Sequence, residues 1–135
     1  MIERDHLVEH LRSLLAGRPE NLAAVYLFGS VARSEARPSS DVDLAVLYRA
    51  TPPATLDGMA LDLQEDLHAA LDVPVQAVVL DRAPVDLVHR VLRDGILVLE
   101  RDRSRRIAFE VRARNEYFDL KPILDRYRHP ASVAP

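Results

Sequence analysis

Gly29-Ser30 and the triplet Asp41-Val42-Asp43 stand ten residues apart in a chain of 135 residues. Their types and spacing suit phosphate chemistry. Glycine has no side chain, so backbone can approach a bulky group, and a helical stretch beginning at the next residue offers unsatisfied N–H groups to an anion. Carboxylates at i and i+2 on a strand point to one face, where both can hold one hard cation. A phosphate cradle facing a divalent-metal clamp is what nucleotidyl transfer requires.

These residues must be positioned by strands. The apolar runs at 23–28 and 44–47 bracket the motif and predict two buried strands, the second extending over 42–48. Leu7, Leu11, Leu14 and Leu15 recur at helical spacing before Gly17, predicting a helix over 3–16. After a brief helix at 29–35, Pro38 and two serines predict a turn at 37–40. Thr51-Pro52-Pro53 breaks the second strand, and a helix follows to about Leu71. A third strand is expected over 75–80, a helix over 84–94 stopped by Gly95, and a fourth strand over 96–99. A long charged helix is expected from 101 to 120, interrupted or kinked near Pro122 and continuing towards Tyr127. Strands alternating with helices predict an α/β (α+β) domain with a small mixed sheet of about four strands flanked by helices. The domain is expected over 1–127, with 128–135 as a loose tail.

Composition narrows the class. Eighteen basic and 21 acidic residues leave a net charge of −3, which gives no bulk attraction to nucleic acid or to an anionic membrane. There is no cysteine, so disulfides and thiolate metal sites are excluded. The charged start of the chain has no signal-peptide core and no run reaches the length of a membrane span, so a cytoplasmic chain is expected.

The stretch from Gly29 to Val46 resembles the signature of the minimal nucleotidyltransferases, the smallest branch of the DNA polymerase β-like superfamily. The segments Asp81-Arg82-Ala83-Pro84, Val91-Leu92-Arg93-Asp94-Gly95 and Glu116-Tyr117-Phe118-Asp119-Leu120-Lys121-Pro122 extend the likeness to MntA-type antitoxins of HEPN/MNT toxin–antitoxin systems. The resemblance implies a polymerase β-like nucleotidyltransferase fold and Mg2+-dependent transfer of AMP from ATP to a tyrosine of a partner HEPN-domain toxin, in a hetero-oligomer with that toxin. It implies nucleotide binding by Gly29 and Ser30, with Arg33 close enough in sequence to assist, and a catalytic, Mg2+-holding pair in Asp41 and Asp43.

One departure matters for activity. The family's third carboxylate sits in the third strand, and counting back from Leu80 its equivalent here is Gln76. Two-metal transfer places one cation on the nucleotide phosphates and another on the attacking oxygen, and the third carboxylate completes the second site. Glutamine has no negative charge and cannot act as a base. Loss of general-base assistance costs about 10²–10⁴ in rate, or about 3–5 kcal/mol of barrier. The alternative function is therefore a weakened nucleotidyltransferase fold that neutralises its toxin by forming a complex. Among possible substitutes, Asp72 is expected to end a helix, Asp81 to lie at the far end of the strand and Asp86 to lie in the next helix.

Other polar groups have plainer readings. His6 and His10 lie four apart without a third ligand, and His68, His89 and His129 are isolated. The arginines from Arg101 to Arg114 fit either a solvated helix face laced with ion pairs or a contact face for a partner or for phosphates. Phe109, Ala113, Tyr117, Leu120, Leu124 and Tyr127 form an apolar stripe longer than a small core needs, predicting a partner-docking surface.

Overall fold

Two central strands carry the architecture, because their sequences leave no face for water. Strand β1 (Leu22–Phe28) is buried at all but its last residue, and β2 (Val42–Tyr48) at all but Asp43. Such continuous burial requires cover on both sides of a sheet. The computed structural model describes residues 3–18, 21–35, 41–50 and 53–128. Around the central strands it places α1 (Arg4–Ala16), α2 (Gly29–Ala32), α3 (Pro53–Leu71), β3 (Val75–Val79), α4 (Val85–Asp94), β4 (Ile96–Glu100) and α5 (Arg103–Arg128).

The sheet order is β3-β2-β1-β4. Strand β1 runs antiparallel to both β2 and β4, whereas β2 and β3 are parallel and joined through α3. Parallel neighbours need such a crossover. The mixed four-stranded sheet flanked by helices is the one expected from the sequence.

Each face has its own core. Leu7, Leu11 and Leu15 of α1 and Leu63 and Leu67 of α3 pack with Leu27, Leu44 and Val46 on one face. On the other, Val88 and Val91 of α4 and Phe109 and Ala113 of α5 pack with Tyr26, Ala45 and Leu47. Here the Tyr26 hydroxyl donates to Glu110 at 2.9 Å. Burial, reinforced by the Glu110 carboxylate, pushes the phenol's proton affinity up, so it remains a neutral donor. Strand β3 is an edge, and its Ala77 N–H donates to the Gln64 side chain of α3 at 3.0 Å. That bond occupies a group that would otherwise invite another strand.

Element ends differ from expectation for local reasons. Asp72 adopts φ +56 after α3, a left-handed residue that ends the helix as foreseen. Strand β3 stops at Val79, and Leu80–Arg82 forms a 3-10 turn. Helix α5 starts two residues later than expected, because the Asp102 carboxylate accepts the Arg105 N–H at 3.0 Å and caps it. The helix runs on through Pro122 to Arg128. Pro122 and Phe118 are both exposed, so the carbonyl that loses its donor is open to water. The predicted turn at 37–40, His129 and the predicted tail beyond 128 lie outside the described residues. Among the described residues, no helix is long and apolar enough to cross a membrane.

Arg101, expected inside the last helix, instead reaches across the fold. Its Nη2 donates to the carbonyls of Leu15, Ala16 and Arg18 at 2.9, 3.1 and 2.9 Å. These carbonyls lie at and just beyond the end of α1, where the Leu15 carbonyl also accepts the Arg18 N–H at 3.1 Å. Arg101→Met keeps most of the stem and removes the charged donor. It is expected to lower unfolding stability by about 1–2 kcal/mol, read by chemical denaturation.

Candidate active site

The site is built where β1 turns into α2. Gly29 adopts φ +79, in the left-handed region that a side chain disfavours. Pairing of Phe28 with Asp43 brings the carboxylate of the neighbouring strand over this turn. A Cβ at residue 29 would stand 2.3 Å from Asp43 Oδ2, well inside contact distance. The carboxylate therefore fills the space a side chain would take, and glycine is required twice, for its backbone angle and for its emptiness.

Asp41 lies two residues before Asp43 at the entrance to β2, exposed where Asp43 is half-buried. Burial, and then the charge of Asp41, raise the Asp43 carboxyl above its ordinary 3.8, while Arg33 pulls it back. Arg33 follows α2 and is held by Glu35, its Nε 3.1 Å from Oε2. Ser30 occupies the second position of α2, whose first turn has no side-chain cap. The structure thus gathers Gly29, Ser30, Arg33, Asp41 and Asp43 at one end of the sheet.

Gln76 is the Cα partner of Asp43 in the parallel β2–β3 pair, so the two share a sheet face. It is exposed on the edge strand. Among the described residues no other acid stands in its place. Asp81 pairs with Arg105, Asp86 with Arg128 at 2.5 Å, and Asp72 lies beyond the end of α3. Of the histidines, His6 meets Glu3 at 3.2 Å and His89 stacks on Tyr117 with ring centroids 3.5 Å apart. A cleft of about 470 Å³ runs along β3, lined by Ala60, Gln64, Val79 and Leu87, and includes none of the site residues.

In the sequence Asp94 belongs to a segment of the family likeness and to the end of a helix, with no role at the site. Gly95 passes so close to β1 that its Cβ would lie 3.3 Å from the Leu27 carbonyl oxygen. This brings the end of α4 beside the end of β1. Arg93 holds Asp94 at 2.8 Å, and the charge of Arg33 also reaches Asp94.

Among the described residues, no group of three or more acids, histidines or cysteines is arranged to hold a metal ion. Asp41 and Asp43 nevertheless fit a hard divalent cation as a pair of oxygen donors with uncompensated negative charge, one of them partly desolvated. The rest of such a shell falls to water or to ligand oxygens.

The sequence matches the family "Polymerase beta, Nucleotidyltransferase" over residues 9–104, and the chain belongs to that family. No curated protein shows a significant sequence match. Among solved structures it is similar to a toxin–antitoxin chain crystallised with AMP-PNP, with 25% identity over 98% of this chain and 96% of the other and a TM-score of 0.68. It is also similar in fold to a chain of the MntA–HepT toxin–antitoxin complex, with 24% identity, 96% and 95% coverage and a TM-score of 0.66. A complex of the tri-AMPylated Shewanella oneidensis HEPN toxin with its MNT antitoxin gives 24% identity, the same coverages of 96% and 95%, and a TM-score of 0.67.

Two stability measurements probe this geometry. Gly29→Ala adds a left-handed alanine, which costs about 1–2 kcal/mol, together with the displacement of Asp43, so a destabilisation of at least that size is expected on denaturation. The second concerns charge. Because the folded Asp43 binds its proton more tightly than the unfolded chain, stability is greatest below the ordinary carboxylate value and falls as pH rises through the folded one. In metal-free buffer, Asp43→Asn is expected to melt higher than the parent at neutral pH, the gap closing as pH falls towards about 4.

Proposed function

We propose that this chain is a nucleotidyltransferase antitoxin that transfers AMP from ATP to a tyrosine of a partner HEPN-domain toxin. The observation that carries the proposal is the Asp43 carboxylate lodged against the side-chain-free turn at Gly29, with the charge of Asp41 near enough to act on it. Family membership and the similarity to a chain of a toxin–antitoxin structure with AMP-PNP support the choice of nucleotide.

In this reading the turn at Gly29 and Ser30 receives the nucleotide phosphates, and Arg33 lends positive charge beside them. Asp41 and Asp43 hold Mg2+, which when bound neutralises phosphate charge and polarises the phosphorus under attack. The acceptor tyrosine oxygen forms a bond to the α-phosphorus, the bond to the β-phosphate bridging oxygen breaks, and pyrophosphate leaves. The tyrosine proton passes to solvent, because the position beside Asp43 holds Gln76, which takes no proton.

That same position favours a second reading, in which the chain neutralises its toxin by complex formation with little transfer. The two separate experimentally. With purified toxin, ATP and Mg2+, intact mass is expected to show AMP on the toxin, and Asp43→Asn to slow its appearance by about 10²-fold or more. Unmodified but neutralised toxin would favour the second reading.

Gln76→Asp tests the missing carboxylate. It is expected to raise the transfer rate at least about tenfold, followed as AMP incorporated per minute. An unchanged rate would remove Gln76 from the explanation of slow transfer.

A further inference from the structure

Helix α5 has two apolar faces, and only one of them is used by the domain. Phe109 and Ala113 are buried against the sheet, and Tyr117 rests on His89. On the opposite side Ile107, Val111 and Phe118 stand 42%, 50% and 64% exposed. At about 100° per residue these three fall within about 40° of one line along the helix. They are not part of the stripe that the sequence periodicity singled out for docking. That stripe packs through Phe109, Ala113 and Tyr117, and its end at Leu120 and Tyr127 is exposed.

One flank of the exposed line carries Arg103, Arg114 and Lys121, all exposed. Among the described residues none of the three makes an ion pair. The other flank is uncharged, and the nearest carboxylate on the cationic side, Glu110, is turned to Arg106 and Tyr26 at 2.7 and 2.9 Å. The chain as a whole is acidic, at −3, yet this face presents three cations against one carboxylate, the half-buried Asp125 one turn beyond Lys121.

We infer that the outward face of α5, centred on Ile107, Val111 and Phe118, is the docking surface for a different protein chain that offers an apolar ridge bordered by carboxylates. Charge weighs against a second copy, since two such faces bring six cations together with only two carboxylates, one Asp125 from each. The extent of similarity points the same way. The family match ends at residue 104, as α5 begins, whereas the likeness to the toxin–antitoxin chain covers 98% of this chain. Helix α5 is thus shared with a chain of a toxin–antitoxin structure but lies outside the matched family region. The inference rests on the toxin partner proposed above and assigns it a surface separate from the aspartates.

The test uses the HEPN-domain protein encoded beside this chain, purified and titrated calorimetrically against the full-length chain. Ile107→Ser, Val111→Ser and Phe118→Ser combined are expected to weaken binding at least about 30-fold. Arg103→Glu, Arg114→Glu and Lys121→Glu combined are expected to weaken it similarly and to flatten its dependence on salt. Because all six side chains are exposed, melting temperature and Mg·ATP binding should match the parent. Binding within about threefold of the parent in both variants overturns the inference while leaving the proposed function standing. A parent chain that binds no HEPN protein overturns both. A parent that dimerises in the ultracentrifuge and is made monomeric by the serine substitutions assigns the face to a second copy and overturns the inference alone.

Discussion

A missing side chain at residue 29 governs how the rest of the site is put together. The first two strands are locked in register by cores on both faces, so the pairing of Phe28 with Asp43 cannot relax. Within that register, Asp43 Oδ2 lies where any Cβ at residue 29 would be. The strand–helix turn therefore closes onto the carboxylate itself. The consequence is electrostatic. A half-buried carboxylate with a second aspartate nearby costs folding energy that only a counter-charge relieves, and Arg33 supplies only part of it. Sites that bind charged ligands commonly hold such unrelieved charge at some expense in stability.

The parts legible in the sequence are those set by short spacing. The strands at 22–28 and 42–48 announced themselves as uninterrupted apolar runs, because both of their faces are covered. The Asp41/Asp43 spacing was visible in the sequence, but Asp41 stands just ahead of β2, so strand alternation alone does not fix its face. Gln76 was reached by counting within its own strand, but its alignment with Asp43 depends on a parallel pairing across a 19-residue helix. No local signal encodes that register.

Residues that act at long range were misjudged or missed. Arg101 belonged to an arginine-rich helical stretch by every local criterion, yet its partners lie 83 to 86 positions earlier, at the end of α1. Asp94 enters the surroundings of the site only because Gly95 lets α4 fold back against β1. Periodicity on α5 put Phe109 and Ala113 in one stripe with Leu120 and Tyr127, but it could not show that only the first two are buried. Leu120, Ile123 and Tyr127 are left at 38%, 49% and 83% exposure.

The arginines of α5 show why net charge is a poor guide to this molecule. Inward-facing arginines are committed to the fold. Arg105 reaches the Tyr48 carbonyl at 3.1 Å and pairs with Asp81, and Arg106 joins Glu100 and Glu110 at 2.5 and 2.7 Å. Those pairings consume acids from β4 and from the turn after β3, which removes them as neighbours for the outward cations. Asp41 and Asp43 stand close together at the end of the sheet, with Arg33 offsetting only part of the charge at Asp43. An overall balance of −3 thus divides into an anionic pocket suited to a cation with phosphates and a cationic helix flank suited to an acidic protein surface. Electrostatic recognition acts over roughly the Debye length of about 8–10 Å, so each surface presents its own local sign to whatever approaches it.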